Sequence, residues 1–363
     1  MSPENTQTEQ TSVEFKLSAV KGFERGPSIF RFEPSGIIKV DSVYHVYYTY
    51  FSPTVTWPEL FYVPNHTQIW LATSKDGWQW NEVGPVLQDS AAGTWHQNGK
   101  HAPHVVQVGD LFYMFYTAHL VAEYFPKRIG LAMADSPAGP FRHIGDGPLL
   151  DADPAAAPHD AVGQDDGCVF QRGDEFWFYY KGYGGDLDTG RTINNHISLA
   201  IADSIEGPYR RCDDNPVAMA HTGCVWPQRN GVMMISDVVD TSANHPHPPC
   251  IRHSEDGIHF TQGAAIEATT TDPAIKSAMA SSLEHWGVEV IDAGVYCPEI
   301  YEPEQPGNSV SWGLCQLPDD VYSADLARPQ CSPFLLRFDC DLKKKHAAEH
   351  TPAGDVLKAA PEE

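Results

Sequence analysis

Two carboxylates and one imidazole in this 363-residue chain stand where acid–base chemistry would need them. Glu33, in Glu33-Pro34-Ser35, and Asp166, in Asp166-Gly167-Cys168, open short turns that each lead into a strand-like run. His221 stands one residue before a third such turn, Thr222-Gly223-Cys224. One carboxylate can accept a proton from water and a second can orient or tune the site. An imidazole near its ordinary pKa can protonate a leaving oxygen. Taken singly, Asp166-Gly167 is a turn dipeptide, Glu33 before Pro34 a rim charge and His221 a core histidine. Their matching places in repeated units favour the chemical reading.

The repeat has five openings: Glu33-Pro34-Ser35, Ala102-Pro103-His104, Asp166-Gly167-Cys168, Thr222-Gly223-Cys224 and Cys297-Pro298-Glu299, spaced by 69, 64, 56 and 75 residues. Each precedes an aromatic or apolar run, such as Tyr44-His45-Val46-Tyr47-Tyr48 or Phe176-Trp177-Phe178-Tyr179-Tyr180. Four units continue into a third strand and turn, such as Ala132-Met133-Ala134-Asp135-Ser136-Pro137; the fifth lacks that turn. Fixed-order self-similarity at this period predicts an all-β, five-bladed propeller whose first strands line a central channel. With side chains alternating faces, Glu33, Ala102, Asp166, Thr222 and Cys297 would face that channel, with His101, Asp165 and His221 one residue earlier. The expected divisions are an extension over 1–22, the propeller over 23–342 and a charged, disordered tail over 343–363.

The remaining candidates are ligand-binding groups. His96, His101, His104 and His119 suggest a metal cluster, but i, i+3 spacing on a strand sends two histidines to opposite faces. Hydrogen bonding of His101 and His104 to a polyhydroxylated ligand is the expectation, with Asp165 beside them and no metal or cofactor. Lys181 and Arg191, with Arg31, are the basic residues that could gather at the pocket. Trp226 either packs a sheet or offers its face to a sugar, and Glu299 either faces the pocket or satisfies a turn. No G-x-S-x-G, P-loop or H-E-x-x-H pattern occurs, and Gly182-Tyr183-Gly184-Gly185 runs into a loop rather than a helix.

A formal net charge of −24 excludes the basic footprint that nucleic acid or an anionic membrane surface requires. No stretch approaches the ~18 apolar residues of a membrane span. The first ten residues have no basic and apolar leader pattern, and the eight cysteines form no C-x-x-C pair, so a reducing, cytoplasmic location is expected. Forty aromatic residues (16 Phe, 15 Tyr, 9 Trp) are ample for a core. A homodimer is allowed by the short leading segment but not required by it.

From about Phe23 to Phe338 the chain resembles glycoside hydrolase family 117, five-bladed propellers related in architecture to family 43. The resemblance rests on Glu33-Pro34-Ser35-Gly36-Ile37-Ile38-Lys39-Val40-Asp41, on Asp166-Gly167-Cys168 with Tyr179-Tyr180-Lys181-Gly182, and on Ala200-Ile201-Ala202-Asp203-Ser204 with Gly207-Pro208-Tyr209. It continues through His221 with Val225-Trp226-Pro227, Glu255-Asp256-Gly257-Ile258, and Pro298-Glu299 with Trp312-Gly313-Leu314. Known members of that family release 3,6-anhydro-L-galactose from the non-reducing end of neoagaro-oligosaccharides, cleaving an α-1,3 bond with inversion. The resemblance implies an exo-acting hydrolase with Glu33 as general base, Asp166 as second carboxylate and His221 as general acid. The chain departs from the family at four places: Glu33 replaces an aspartate and Thr222 a glutamate, while Ala102-Pro103-His104 replaces Thr-Pro-Glu and Cys297 an arginine. Those departures keep two other readings open: a carbohydrate-binding propeller without turnover, and a family 43-type furanosidase using a glutamate such as Glu299 as acid.

Overall fold

The computed structural model describes residues 12–24, 30–51, 65–119, 126–151, 159–186, 191–220, 222–228, 231–238, 247–261, 263–286, 291–301, 312–316 and 335–340. The architecture is all-β, with twisted antiparallel sheets built from consecutive strands. After β1 (Ser12–Ala19), one sheet is formed by β2 (Phe30–Phe32), β3 (Ile38–Val40), β4 (Val43–Phe51), β5 (Gln68–Ser74) and β6 (Trp80–Pro85). The next contains β7 (Asn98–Val108), β8 (Leu111–His119), β9 (Lys127–Ala134) and β10 (Arg142–Ile144). A third contains β11 (Gly163–Arg172), β12 (Glu175–Asp186), β13 (Arg191–Ala202), β14 (Arg210–Arg211) and β15 (Ala218–Met219).

The fourth and largest sheet joins two consecutive groups. One group is β16 (Thr222–Gln228), β17 (Gly231–Val238), β18 (His247–Ser254) and β19 (Ala264–Thr269). A helix, α1 (Pro273–Trp286), leads to the other: β20 (Ile291–Val295), a short helix α2 (Pro298–Tyr301), β21 (Trp312–Gln316) and β22 (Leu336–Asp339). The stretch expected to be an extension before the propeller in fact supplies β1 at the centre of this sheet. It pairs parallel with β19 (Val13 opposite Ile266) and antiparallel with β22 (Leu17 opposite Phe338). Its alternating apolar residues Val13, Phe15 and Leu17 are buried, and Phe15 stacks on Phe338 with ring centroids 4.4 Å apart. An alternating apolar face of this kind is stable only when a second sheet face or helix covers it. Ile275 and Met279 of α1 provide part of that cover.

Inner strands touch in chain order, β4 to β7, β7 to β11, β11 to β16 and β16 to β20. The ring returns to its start through a parallel bridge, Ile37 to Tyr296, with the Ile37 N–H donating to Val295 O at 3.0 Å. Gly294 makes that close approach practicable, because a Cβ there would lie 1.8 Å from the Ser35 carbonyl oxygen. Between sheets the aromatic runs form the core, with Tyr47, Tyr48, Tyr179 and Tyr180 fully buried. Serine–aspartate–glycine turns recur after the third strands: Asp76 Oδ1 accepts from Trp78 N and Gln79 N, and Asp256 Oδ1 accepts from Ile258 N and His259 N, all at 2.8 Å. This is the local chemistry that makes Asp-Gly a turn signal.

Candidate active site

A bulge in the inner strand aims each wall residue. The β7–β8 register shifts between His101 and His104, the β11–β12 register between Asp165 and Cys168, and the β20–β21 register between Ile291 and Ala293. Within those shifts lie Ala102, Asp166 and Asp292, with φ of 48°, 48° and 46°. Glu33, in the gap between β2 and β3, has φ of 55°. Non-glycine residues rarely adopt this left-handed region, and such residues gather at functional sites whose surroundings hold them there. Extra residues in an inner strand re-aim a side chain that strict alternation would send elsewhere. All four line one central cavity, together with Ser35, Gly36, His104, Cys168, Cys224 and Ile235 among others.

Three carboxylates therefore face one space: Glu33, Asp166 and Asp292. Glu33 Oε2 accepts from Thr49 Oγ1 and from the Ala102 N–H, both at 2.9 Å, so its described hydrogen-bond partners are neutral. Burial, then the charges of Asp166, Asp292 and Asp165, push the Glu33 carboxyl well above the ordinary glutamate range, against a weaker opposing effect of Lys127. Asp166 is held differently. The Lys181 ammonium sits against its Oδ2, while Oδ1 is buried with no hydrogen-bond partner among the described residues. Burial and the adjacent Asp165 charge raise the Asp166 carboxyl, with Lys181 opposing them.

Behind this wall is a buried array of charges. Asp165 Oδ2 lies 2.7 Å from Lys127 Nζ, 3.4 Å from Lys181 Nζ and 3.0 Å from the Tyr183 hydroxyl, while Oδ1 lies 3.1 Å from His101 Nε2. Burial alone would raise Asp165, but the two ammonium groups and His101 outweigh it and hold it well below the usual carboxylate range. Burial likewise disfavours the Lys181 cation, yet Asp165 and Asp166 together raise its pKa well above the ordinary value. The array fixes Lys181 beneath Asp166, so the ammonium holds one Asp166 oxygen while the other is buried as well.

The structure brings Glu33, Asp166 and His104 to the cavity wall; burial keeps the His104 imidazole low and its Nε2 lies 2.9 Å from Val169 O. Asp165, His101 and Lys181 lie behind the wall, each at most 3% exposed. None of them lines the cavity, and their polar atoms are engaged in the array. Trp226 is 4% exposed in the core cluster that holds Phe15 and Met233, so of its two readings it packs the sheet and is not at the cavity wall as a substrate-binding residue. Arg31 is also remote from the cavity: its guanidinium holds Glu82 through Nε and Nη2 at 2.7 and 2.8 Å. The fifth wall position is Asp292 rather than Cys297, since β20 ends at Val295 and Cys297-Pro298-Glu299 leads into α2. His221 lies outside the described residues, as do the side chains of Arg191, Thr222 and Glu299.

Asp292, Thr49, Lys127 and Gln316 were not foreseen. A signal for Asp292 exists in Asp292-Ala293-Gly294-Val295, which matches Asp166-Gly167-Cys168-Val169 and Thr222-Gly223-Cys224-Val225 once all are aligned on the valine. No described group of three or more His, Cys, Asp or Glu residues has metal-binding geometry.

Residues 30–163 match the family described as glycosyl hydrolases family 43. Among solved structures, the chain is similar to Zg3597, a family 117 glycoside hydrolase of the marine bacterium Zobellia galactanivorans. That likeness has 21% identity and a TM-score of 0.68, covering 92% of this chain and 91% of the other. An alpha-L-arabinofuranosidase from Clostridium thermocellum is similar at 16% identity and a TM-score of 0.52, covering 84% of this chain and 88% of that one. The GH43_1 enzyme from Xanthomonas citri, complexed with xylose, is similar at 15% identity and a TM-score of 0.52, covering 85% and 86%. Comparison with curated proteins gives no match. In fold the chain is similar to solved glycoside hydrolases of the family 117 and family 43 type, and residues 30–163 carry the family 43 pattern.

Proposed function

We propose that this protein is an exo-acting glycoside hydrolase that removes a terminal sugar, anhydro-galactose-like or related, from an oligosaccharide with inversion at the anomeric carbon. In this reading the four sheets make five blades, the eight-stranded sheet being two blades joined through β1. The observation that carries the reading is the pair Glu33 and Asp166: two carboxylates with left-handed backbone on different sheets, facing one cavity. Glu33 takes a proton from water as that oxygen bonds to the anomeric carbon. The glycosidic C–O bond breaks, and His221 supplies the proton that the leaving oxygen needs. Asp166, held by Lys181, tunes the pocket beside Glu33 through its charge.

A raised glutamate suits the base role, since a base works best when its pKa approaches the working pH. The test is a screen of the purified protein against algal, plant and bacterial oligosaccharides, with the anomer of the first product read by NMR. Inverted product, lost in Glu33→Gln, is the expected result. A retained anomer, or full activity in Glu33→Gln, would overturn the mechanism.

A second enzymatic reading is favoured by the family 43 match over residues 30–163: a furanosidase in which a glutamate such as Glu299 is the acid. Glu299→Gln should abolish turnover there and spare it if His221 is the acid, whereas His221→Ala gives the opposite pattern. Binding of sugars without any turnover would instead identify a carbohydrate-binding propeller.

A further inference from the structure

Asp292 lies at the fifth wall position, and one side chain ties it to Glu33. Gln316 Nε2 donates to Asp292 Oδ2 at 2.9 Å, and Gln316 Oε1 accepts from the Glu33 N–H at 2.9 Å. The amide cannot be reversed without placing its NH2 against a donor and its oxygen against a carboxylate, so the relay has one orientation. Gln316 is 3% exposed, and Asp292 and Glu33 share the left-handed backbone, at φ 46° and 55°. The two carboxylates come from the last and first sheets and meet where the Ile37–Tyr296 bridge closes the ring.

We propose that Asp292 is a positioning residue of this site: joined to Glu33 through the Gln316 amide, it sets the pH at which Glu33 gives up and regains its proton. The inference rests on reading Glu33 as the group that takes the proton of water. Several charged or titratable groups line the cavity with Glu33 or act on it by their charge. Asp165 and Asp166 come from β11, Asp292 from β20, Lys127 from β9 and the neutral His104 from β7. Lys181 of β12 is engaged by Asp165 and Asp166. Of these carboxylates, Asp165 is enclosed by cations, and Asp166 has Lys181 against it. Asp292 contributes its repulsion from beside Glu33, across the Gln316 amide, and in a low-dielectric site a negative neighbour favours the neutral form of Glu33.

The test is the titration of Glu33 itself, followed by NMR with carbon-labelled glutamate carboxyls and assigned by the signal lost in Glu33→Gln. Asp292→Asn keeps a carbonyl oxygen for Gln316 and removes only the charge. Its Glu33 signal should titrate at lower pH than in the parent. At the foot of the parent's acid limb, the variant should keep several-fold more of its plateau kcat/KM. An unchanged or higher Glu33 midpoint overturns the inference. If Asp292→Asn does not fold, the parent decides alone, because a Glu33 signal titrating at the ordinary value of about 4.3 is incompatible with such a neighbour. The titration needs no turnover. A shifted midpoint in a protein that cleaves no sugar would refute the glycosidase reading and keep the Asp292 relay, while cleavage with an unmoved midpoint would do the reverse.

Discussion

Replacing Asp165 by asparagine should unfold this protein more readily than any single change in the open cavity. Asp165 has a side chain 2% exposed and receives Lys127 at 2.7 Å, Tyr183 at 3.0 Å, His101 at 3.1 Å and Lys181 at 3.4 Å. Asparagine matches the shape but brings an NH2 group toward these donors and leaves the Lys127 ammonium buried without its carboxylate. Removing one partner of a buried ion pair costs about 3–5 kcal/mol. At a side-chain exposure of 2–4% for Asp165 and its lysines, solvent screening warrants no discount. For a chain of this size, each kcal/mol lowers the melting temperature by about 2 °C, so a fall of roughly 6–10 °C is expected in calorimetry or thermal circular dichroism.

The sign with pH follows from the depressed folded-state pKa of Asp165. Its stabilisation is fully present above the unfolded value of about 3.9 and is lost as pH falls through the lower folded value. The deficit of Asp165→Asn should therefore be constant from about pH 5 to 8 and shrink only in stronger acid. Adding Lys127→Met to Asp165→Asn should recover part of the loss, because the orphaned cation goes too. A fall of less than about 2 °C, or a double variant equal to the sum of the singles, would refute the account of the array.

Other expectations follow from the cavity and the ring closure. Glu33→Gln should lower kcat/KM by roughly 100-fold or more without a comparable loss of melting temperature, since among the described residues its carboxylate accepts from the neutral donors Thr49 and Ala102 alone; a loss below tenfold would exclude it as base. Because its neighbours raise Glu33, the acid limb of kcat/KM should lie above the ordinary carboxylate range, with rate lost as pH falls through it; a limb at about 4.3 would contradict the geometry. The wall has three carboxylates and no Lys or Arg side chain among the described lining residues, so calorimetry should show uronate-terminated oligosaccharides binding at least roughly tenfold more weakly than neutral ones. Gly294→Ala should cost about 1–3 kcal/mol or more, measured by urea unfolding, because its Cβ would meet the Ser35 carbonyl oxygen at 1.8 Å; wild-type stability would mean the closure is looser than described.

What the chain alone determines is local chemistry. Aromatic runs of period two, Ser-x-Asp-Gly turns and recurrent openings specify sheets in series, because pleat alternation and side-chain-capped turns act within a few residues. That suffices to place Glu33, Asp166 and His104 on the openings that line the cavity. Tertiary structure decided the rest. Bulges at Ala102, Asp166 and Asp292 decide which residue faces the cavity, a choice strict alternation misjudged at the fifth opening. Asp165 and His101 look like surface-reaching polar residues until Lys127, 38 positions earlier in the chain than Asp165, is packed against them. Trp226 belongs to the core because its neighbours include Phe15, delivered by a strand that the sequence offers only as a leading extension. That strand joins β19 and β22 across separations of about 250 and 320 residues, where no local propensity reaches and only the burial of Val13, Phe15 and Leu17 supplies the reason.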